Sequence, residues 1–287
     1  MVPLSRTQRR FVGVAAAAAL LLAASGCGED EGGDGTATAE GGISLVEEDH
    51  LTICTHLPYQ PFQHRDKTTG DIVGFDVELL DLLAEDLGVQ RENGDIVNIA
   101  WEQITSGAVF TADRCDVGMG AMTITDERAT ALTISDPYFE ATQGMLVRTE
   151  EPYSSLEELE GERVGVQSDT TGEIYAEDNA EEHGYEIVKY DDLALELNAL
   201  KAGNIAAAIN DNSPLEEFVA DNPDTEVSAL FETGEVYGFP AKKDDENAQM
   251  LIERMNALLA EAFDDGTYAE IYQKWFDEEP PFELPPG

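Results

Sequence analysis

The chain has 287 residues and carries 60 Asp and Glu against 16 Lys and Arg, a formal charge of −44. So large a negative excess excludes nucleic acid as a partner, because phosphate binding depends on cationic side chains that release counterions. Lysine is scarce and the acids are spread along the chain, which fits a solvated surface suited to high salt better than it fits attraction of a basic ligand.

At the N-terminus, Arg6, Arg9 and Arg10 precede an apolar run over 11–24, and Ser25-Gly26-Cys27 follows. This pattern predicts a lipoprotein signal peptide over 1–26 with Cys27 as the lipid-bearing first residue of the mature chain. The run is short for a membrane span, which needs about 20 apolar residues. The Arg9-Arg10 pair leaves both the Sec and the twin-arginine export routes open. Removing 1–26 takes away three arginines and no acids, so the mature chain holds 13 basic and 60 acidic side chains, a charge of −47. Residues 27–42 are rich in Gly, Glu, Asp and Thr with no large apolar side chain, a composition that builds no core and predicts a disordered acidic tether.

The remainder is long enough for two modest lobes, each with its own core. Short apolar strands alternate with amphipathic helices, which predicts α/β architecture. Strands are expected at 51–54, 163–166 and 205–209. Helices are expected at 75–87, stopped by Gly88, at 193–202, ended by Gly203, and at 247–263.

Two strand-to-helix junctions stand out. Residues 118–128 read as a strand entering a helix, with Thr125 as N-cap, Asp126 and Glu127 in the first turn and Arg128 three residues past the cap. An anion there would meet a planar bidentate donor beside unpaired backbone N–H groups. At 167–173, Thr170 and Glu173 form a capping box directly after a strand, so its hydroxyls and N–H groups face the strand end. If each junction lies in a different lobe, one ligand carboxylate is gripped from both sides.

These features resemble the solute-binding proteins of polar amino-acid ABC importers (extracellular or periplasmic binding proteins, family 3). The resemblance covers nearly the whole mature region. It rests on Tyr59-Gln60-Pro61-Phe62, Gly74-Phe75-Asp76, Met122-Thr123-Ile124-Thr125 with Arg128, Ser135-Asp136-Pro137-Tyr138, Val164-Gly165-Val166 leading to Thr170-Thr171, Tyr237-Gly238, and Asp265-Gly266-Thr267-Tyr268 through Lys274-Trp275-Phe276. It implies a type II two-lobe periplasmic-binding-protein fold with a ligand cleft and two hinge strands near 142–147 and 234–239. Lobe 1 would then comprise 43–141 and 236–287, and lobe 2 would comprise 142–235.

Carried over by position, the resemblance gives the ligand α-carboxylate to Arg128 and Thr123, assisted by the backbone at Thr170 and Thr171, and the α-ammonium to Asp211. Asp211 could equally cap a helix before Pro214. Tyr59 and Phe75 would be aromatic walls, with core packing the stronger alternative for Phe75, and Ala121 and Met122 join the expected contacts. Trp101 is read as lobe packing.

Two departures bear on specificity. His56 stands where many relatives have an aspartate, and Gly120-Ala121 replaces two small hydroxyl residues. The expected second acid near the ligand is missing, which argues against lysine or arginine and for a neutral polar or acidic amino acid, or a zwitterion such as ectoine. Histidine accepts a hydrogen bond when neutral and repels an ammonium when charged.

Two cysteines remain after Cys27. An oxidising extracytoplasmic site permits a Cys54–Cys115 disulfide. The four histidines are scattered and no metal-ligand spacing occurs, so neither metal nor cofactor is expected. The expected partners are an ABC permease, a separate ATPase and, through the lipid, the membrane. The chain itself has no phosphate-binding Gly-x-x-x-x-Gly-Lys loop. The alternative function is a periplasmic cyclohexadienyl (arogenate/prephenate) dehydratase, for which Glu173 would be the candidate acid.

Overall fold

The computed structural model describes residues 42–281. The expectations for the signal at 1–26, for Cys27 and for the tether up to residue 41 lie outside the described residues. The first strand, β1 (Ile53–Thr55), is buried at all three positions, as a parallel strand covered on both faces must be. A short hairpin of β2 (His64–Arg65) and β3 (Ile72–Val73) leads into α1 (Phe75–Asp86). Val77, Leu80, Leu83 and Ala84 recur at helical spacing on the buried face of α1. The helix stops because Gly88 takes φ +66, letting its N–H reach Glu85 O at 3.1 Å and that of Val89 reach Ala84 O at 3.0 Å.

The chain continues through β4 (Ile96–Asn98), α2 (Trp101–Thr105), α3 (Ala108–Thr111), β5 (Val117–Gly118), α4 (Asp126–Ala131) and β6 (Leu132–Ile134). The long strand β7 (Phe139–Arg148) then crosses to a second lobe made of β8 (Arg163–Gln167), α5 (Thr171–His183), β9 (Glu186–Tyr190), α6 (Leu193–Lys201), β10 (Ala207–Asp211) and α7 (Asn212–Asp221). The longer β11 (Thr225–Tyr237) returns, and β12 (Pro240–Lys242), α8 (Glu246–Asp265) and α9 (Thr267–Phe276) complete the first lobe.

Each lobe is built on a five-stranded sheet, in the order β4-β1-β5-β12-β6 for the first and β11-β7-β10-β8-β9 for the second. In each sheet three successive strands are parallel, β4-β1-β5 in the first and β10-β8-β9 in the second, and the remaining pairs are antiparallel, among them the crossing strands β7 and β11. At the start of β7 Phe139 packs in the first lobe's core, and Met145 and Val147 further along pack in the second's. The helix α9 closes the first core through rings, with Tyr268 edge-on to Phe75 at 5.5 Å and Phe276 edge-on to the same ring at 5.3 Å. Cys54 in β1 and Cys115 before β5 form a disulfide with a Cα separation of 5.7 Å.

The strand expected to run from 118 into α4 is only two residues long. Gly120 (φ +155) and Ala121 (φ +49) turn the chain out of extended conformation, and 119–122 becomes a loop. Its exposed backbone donors are satisfied by a buried carboxylate: Asp76 Oδ2 accepts from Gly120 N–H at 3.1 Å and Ala121 N–H at 2.9 Å. Similarly, the strand expected at 205–209 is displaced two residues toward the C-terminus and ends at Asp211.

Candidate functional site

The first lobe contributes an arginine held from three sides. Thr125 caps α4 by accepting Arg128 N–H at 3.1 Å, which fixes the arginine's backbone. Its guanidinium donates to Thr123 O at 2.9 Å and lies 5.5 Å from the centre of the Trp101 ring. Burial pushes the Arg128 pKa down while the carboxylates of Asp211 and Glu235 pull it back up, and it remains charged. Asp76 anchors the preceding loop while also accepting Tyr138 Oη–H at 2.8 Å, and burial raises its pKa to about 7 in spite of these bonds.

The second lobe meets this arginine with a backbone carbonyl. Asp169, in left-handed conformation (φ +63), aims its C=O at Arg128 Nη2, 3.0 Å away, and at Trp101 Nε1, 2.9 Å away. Its own N–H donates to Glu173 Oε2 at 2.6 Å, and Thr170 Oγ1 accepts Glu173 N–H at 3.1 Å. The capping box therefore closes one residue upstream of the N-cap. Glu173 also pairs with Lys189, so both of its oxygens are engaged. The first-turn N–H groups of Thr171 and Gly172 have no helical carbonyl to reach and remain available to an acceptor.

The hinge end of the cleft is a network of acids. Asp211 terminates β10, and its side chain makes no capping bond to α7. Instead Asp211 Oδ2 accepts from Tyr237 Oη at 2.6 Å and lies 2.8 Å from Tyr59 Oη, while Oδ1 accepts from Gln143 Nε2 at 2.5 Å. Burial and the neighbouring charge of Glu235 raise its pKa to about 6 against the lowering effect of these donors. Glu235 Oε2 accepts the hydroxyls of Thr123 at 2.7 Å and Thr171 at 2.6 Å, one from each lobe. A hydroxyl has one proton, so both threonines then present lone pairs rather than a donor to the cleft.

A small cavity lies among these groups, lined by His56, Tyr59, Ala121, Thr123, Arg128, Thr170, Thr171 and Asp211 of the expected residues. Phe75 and Met122 are elsewhere. Both are fully buried in the first lobe, Phe75 among the rings of Phe62, Tyr268 and Phe276 and Met122 beside Ile104 and Phe110. Phe75 begins α1 on its core face, and Met122 lies on the inner side of the loop, so neither reaches the cleft.

Trp101 corrects its reading as lobe packing: it lines the cavity and bonds across the lobes. Gln63 and Gln167 also line it, and Gln143 and Glu235 stand behind the threonines and Asp211. Nothing in local sequence marks Glu235. It is aimed inward by a bulge in β11, where pairing with β7 skips from Phe231 to Glu235 and Gly234 takes φ +68. Among the described residues, no cluster of three or more His, Cys, Asp or Glu is arranged to hold a metal ion, and no helix is long and apolar enough to cross a membrane.

Residues 51–278 match the family model of bacterial extracellular solute-binding proteins, family 3. The chain is 28% identical over 271 residues to the ABC transporter glutamine-binding protein of Bacillus subtilis, covering 92% of this chain and 94% of that one. Among solved structures it is similar to a mutant of the arginine-binding protein ArgBP of T. maritima, with 33% identity, a TM-score of 0.72, and coverage of 80% of this chain and 96% of that chain. It is also similar to an ancestral amino-acid-binding protein described as a precursor of cyclohexadienyl dehydratase, with 31% identity, a TM-score of 0.70, and coverage of 79% and 96%.

Proposed function

The chain belongs to the bacterial extracellular solute-binding proteins of family 3, and from that premise we propose that it is a lipid-anchored receptor delivering an amino acid or related zwitterion to an ABC permease driven by a separate ATPase. The observation that carries this reading is the shared cavity with Arg128 on one lobe and Asp211 on the other, opposite charges built into opposing walls. The ligand carboxylate sits on Arg128 and the first-turn N–H groups of α5, and the ammonium sits on Asp211. With its hydroxyl proton directed to Glu235, Thr123 offers lone pairs, which in this reading suit the ammonium end better than the carboxylate end that the resemblance implied. The lobes correspond to 43–141 with 236–287 and to 142–235, tethered through 27–42 to a lipid on Cys27.

Ligand contacts to both walls favour the closed arrangement, which the permease reads. The names of the relatives, glutamine-binding and arginine-binding, support an amino acid as the cargo. A binding role fits Glu173 better than catalysis does, because its carboxylate is spent on Asp169 N–H and Lys189.

Mass spectrometry of what co-purifies, followed by calorimetry of the stripped protein against the amino acids and ectoine, tests the reading. Failure of every zwitterion to bind refutes it, as does turnover of arogenate or prephenate. Replacement of Cys27 by serine should release the protein from membranes.

A further inference from the structure

Three acceptor atoms of the cavity lining lack any hydrogen-bond partner among the described residues: His56 Nε2, Gln63 Oε1 and Gln167 Oε1. The tautomer of His56 follows from its other nitrogen, since Nδ1 lies 2.8 Å from Ile99 O and a carbonyl only accepts. Nδ1 therefore carries a proton, and Nε2 of the neutral ring offers a lone pair. Gln63 turns its Nε2 toward His56 O at 3.5 Å, which leaves Oε1 free. Gln63 and Gln167 are 1% and 3% exposed, so water does not readily supply the missing donors. A buried acceptor left unpaired is costly, and three in one cavity call for a ligand rich in N–H groups.

Charge points the same way. The acid that sequence comparison leaves missing near the first strand is supplied by the hinge: Glu235 lies one amide away from Asp211, with Gln143 Nε2 at 2.9 Å from Glu235 Oε1 and 2.5 Å from Asp211 Oδ1. Among the described residues that line the cavity, Arg128 is the one Lys or Arg. Two carboxylates against one guanidinium leave an excess negative charge that a neutral zwitterion does not balance. Beyond Arg128, the adjoining opening carries Glu102, Glu127, Asp169 and Glu177, so an incoming ligand passes an acidic rim.

We propose that this cleft selects an amino acid whose side chain is a cation carrying several N–H donors, a guanidinium or alkylammonium, received by His56 Nε2, Gln63 Oε1 and Gln167 Oε1 and balanced by Glu235. The proposal rests on the amino-acid-binding reading and reverses the expectation that arginine and lysine are disfavoured. It assigns Glu235 a positioning and charge-balancing role through Gln143 and the two threonines rather than direct contact with the side chain.

Calorimetry of the stripped full chain with L-arginine, L-lysine, L-glutamine, L-glutamate and ectoine provides the test. Arginine or lysine should bind at least tenfold more tightly than glutamine, and glutamate should be weakest among the amino acids. In Glu235→Gln the arginine-to-glutamine affinity ratio should fall by about tenfold, and in His56→Leu, which leaves the acids untouched, it should fall as well. Circular dichroism and melting of both variants establish that they fold, and the wild-type ratio needs no variant. Glutamine, glutamate or ectoine binding as tightly as arginine overturns the proposal while leaving the receptor reading intact. So does an unchanged ratio in folded Glu235→Gln. Absence of binding by every ligand overturns both.

Discussion

Asp211 at the end of β10 and Glu235 on the returning hinge strand are joined by a single side chain, the amide of Gln143, which donates to both carboxylates. Burial and this like-charged neighbour raise the Asp211 pKa to about 6, and an ammonium binds its ionised form. Affinity for the zwitterion should therefore be flat above pH 7 and about tenfold weaker at pH 5, one unit below that pKa. Glu235→Gln removes the repelling charge and should move the midpoint to lower pH. Calorimetry from pH 5 to pH 8 measures both, and an affinity independent of pH would remove Asp211 from the ammonium site.

Arg128→Ala should cost at least about 2–4 kcal/mol of affinity, the range for losing a charge-assisted contact in a buried site. Arg128→Lys should recover little. The guanidinium reaches Thr123 O and Asp169 O through separate nitrogens and lies over Trp101, and an ammonium lacks that planar fork. Affinity surviving Arg128→Ala within a few fold would contradict the assignment.

Much of this site is legible in sequence because its parts are local. Thr125 and Thr170 reveal themselves as caps by position, and Arg128 follows from its cap at fixed helical spacing. The core helices are visible from apolar periodicity, and α1 spans nearly the segment expected. What is hidden is non-local. Trp101 reads as an ordinary core aromatic until β8 brings the Asp169 carbonyl to its indole N–H. Glu235 reads as one more surface acid in a chain full of them, because its inward aim comes from a bulge in pairing between two distant strands. Phe75 shows the converse, a motif position whose ring the first lobe's aromatic cluster claims.

Gly120 is a position where a methyl group should disturb binding directly. A Cβ there would stand 2.8 Å from Trp101 Cζ3, and the backbone φ of +155 is one that L side chains rarely adopt. Gly120→Ala should displace the indole, weaken its bond to Asp169 and lower affinity by about tenfold or more, together with a drop in Tm. Unchanged binding and melting would show that the loop relaxes without moving Trp101.

The Cys54–Cys115 bridge spans a sequence separation of 61 and ties β1 to the residues entering β5. By the chain-entropy model its loss should reduce stability by about 4 kcal/mol. Paired Cys54→Ser and Cys115→Ser substitutions should lower the denaturant midpoint, and the wild type should show the same drop in reductant. Equal midpoints with and without reductant would show that the bridge adds nothing to stability.

The buried acids of the two cores set the direction of stability with pH. Asp76 is raised from 3.8 to about 7 and Glu196 from 4.5 to about 8, both chiefly by burial. The folded chain therefore holds protons that the unfolded chain releases, so their contribution is full below about pH 4, declines as pH rises from there to about 7 for Asp76 and about 8 for Glu196, and levels off above. Asp66 and Asp265, whose pKa values backbone N–H groups lower, act oppositely at pH values below this window. For Asp76, about three pKa units at 1.36 kcal/mol each amount to a contribution on the order of 4 kcal/mol. Asp76→Asn stays neutral throughout and keeps one acceptor for Gly120 and Ala121, so it should flatten part of the decline. Denaturant titrations of both proteins from pH 5 to pH 8 in molar salt, which screens the general repulsion, read this out. Parallel curves for wild type and Asp76→Asn would show that Asp76 does not carry the titration.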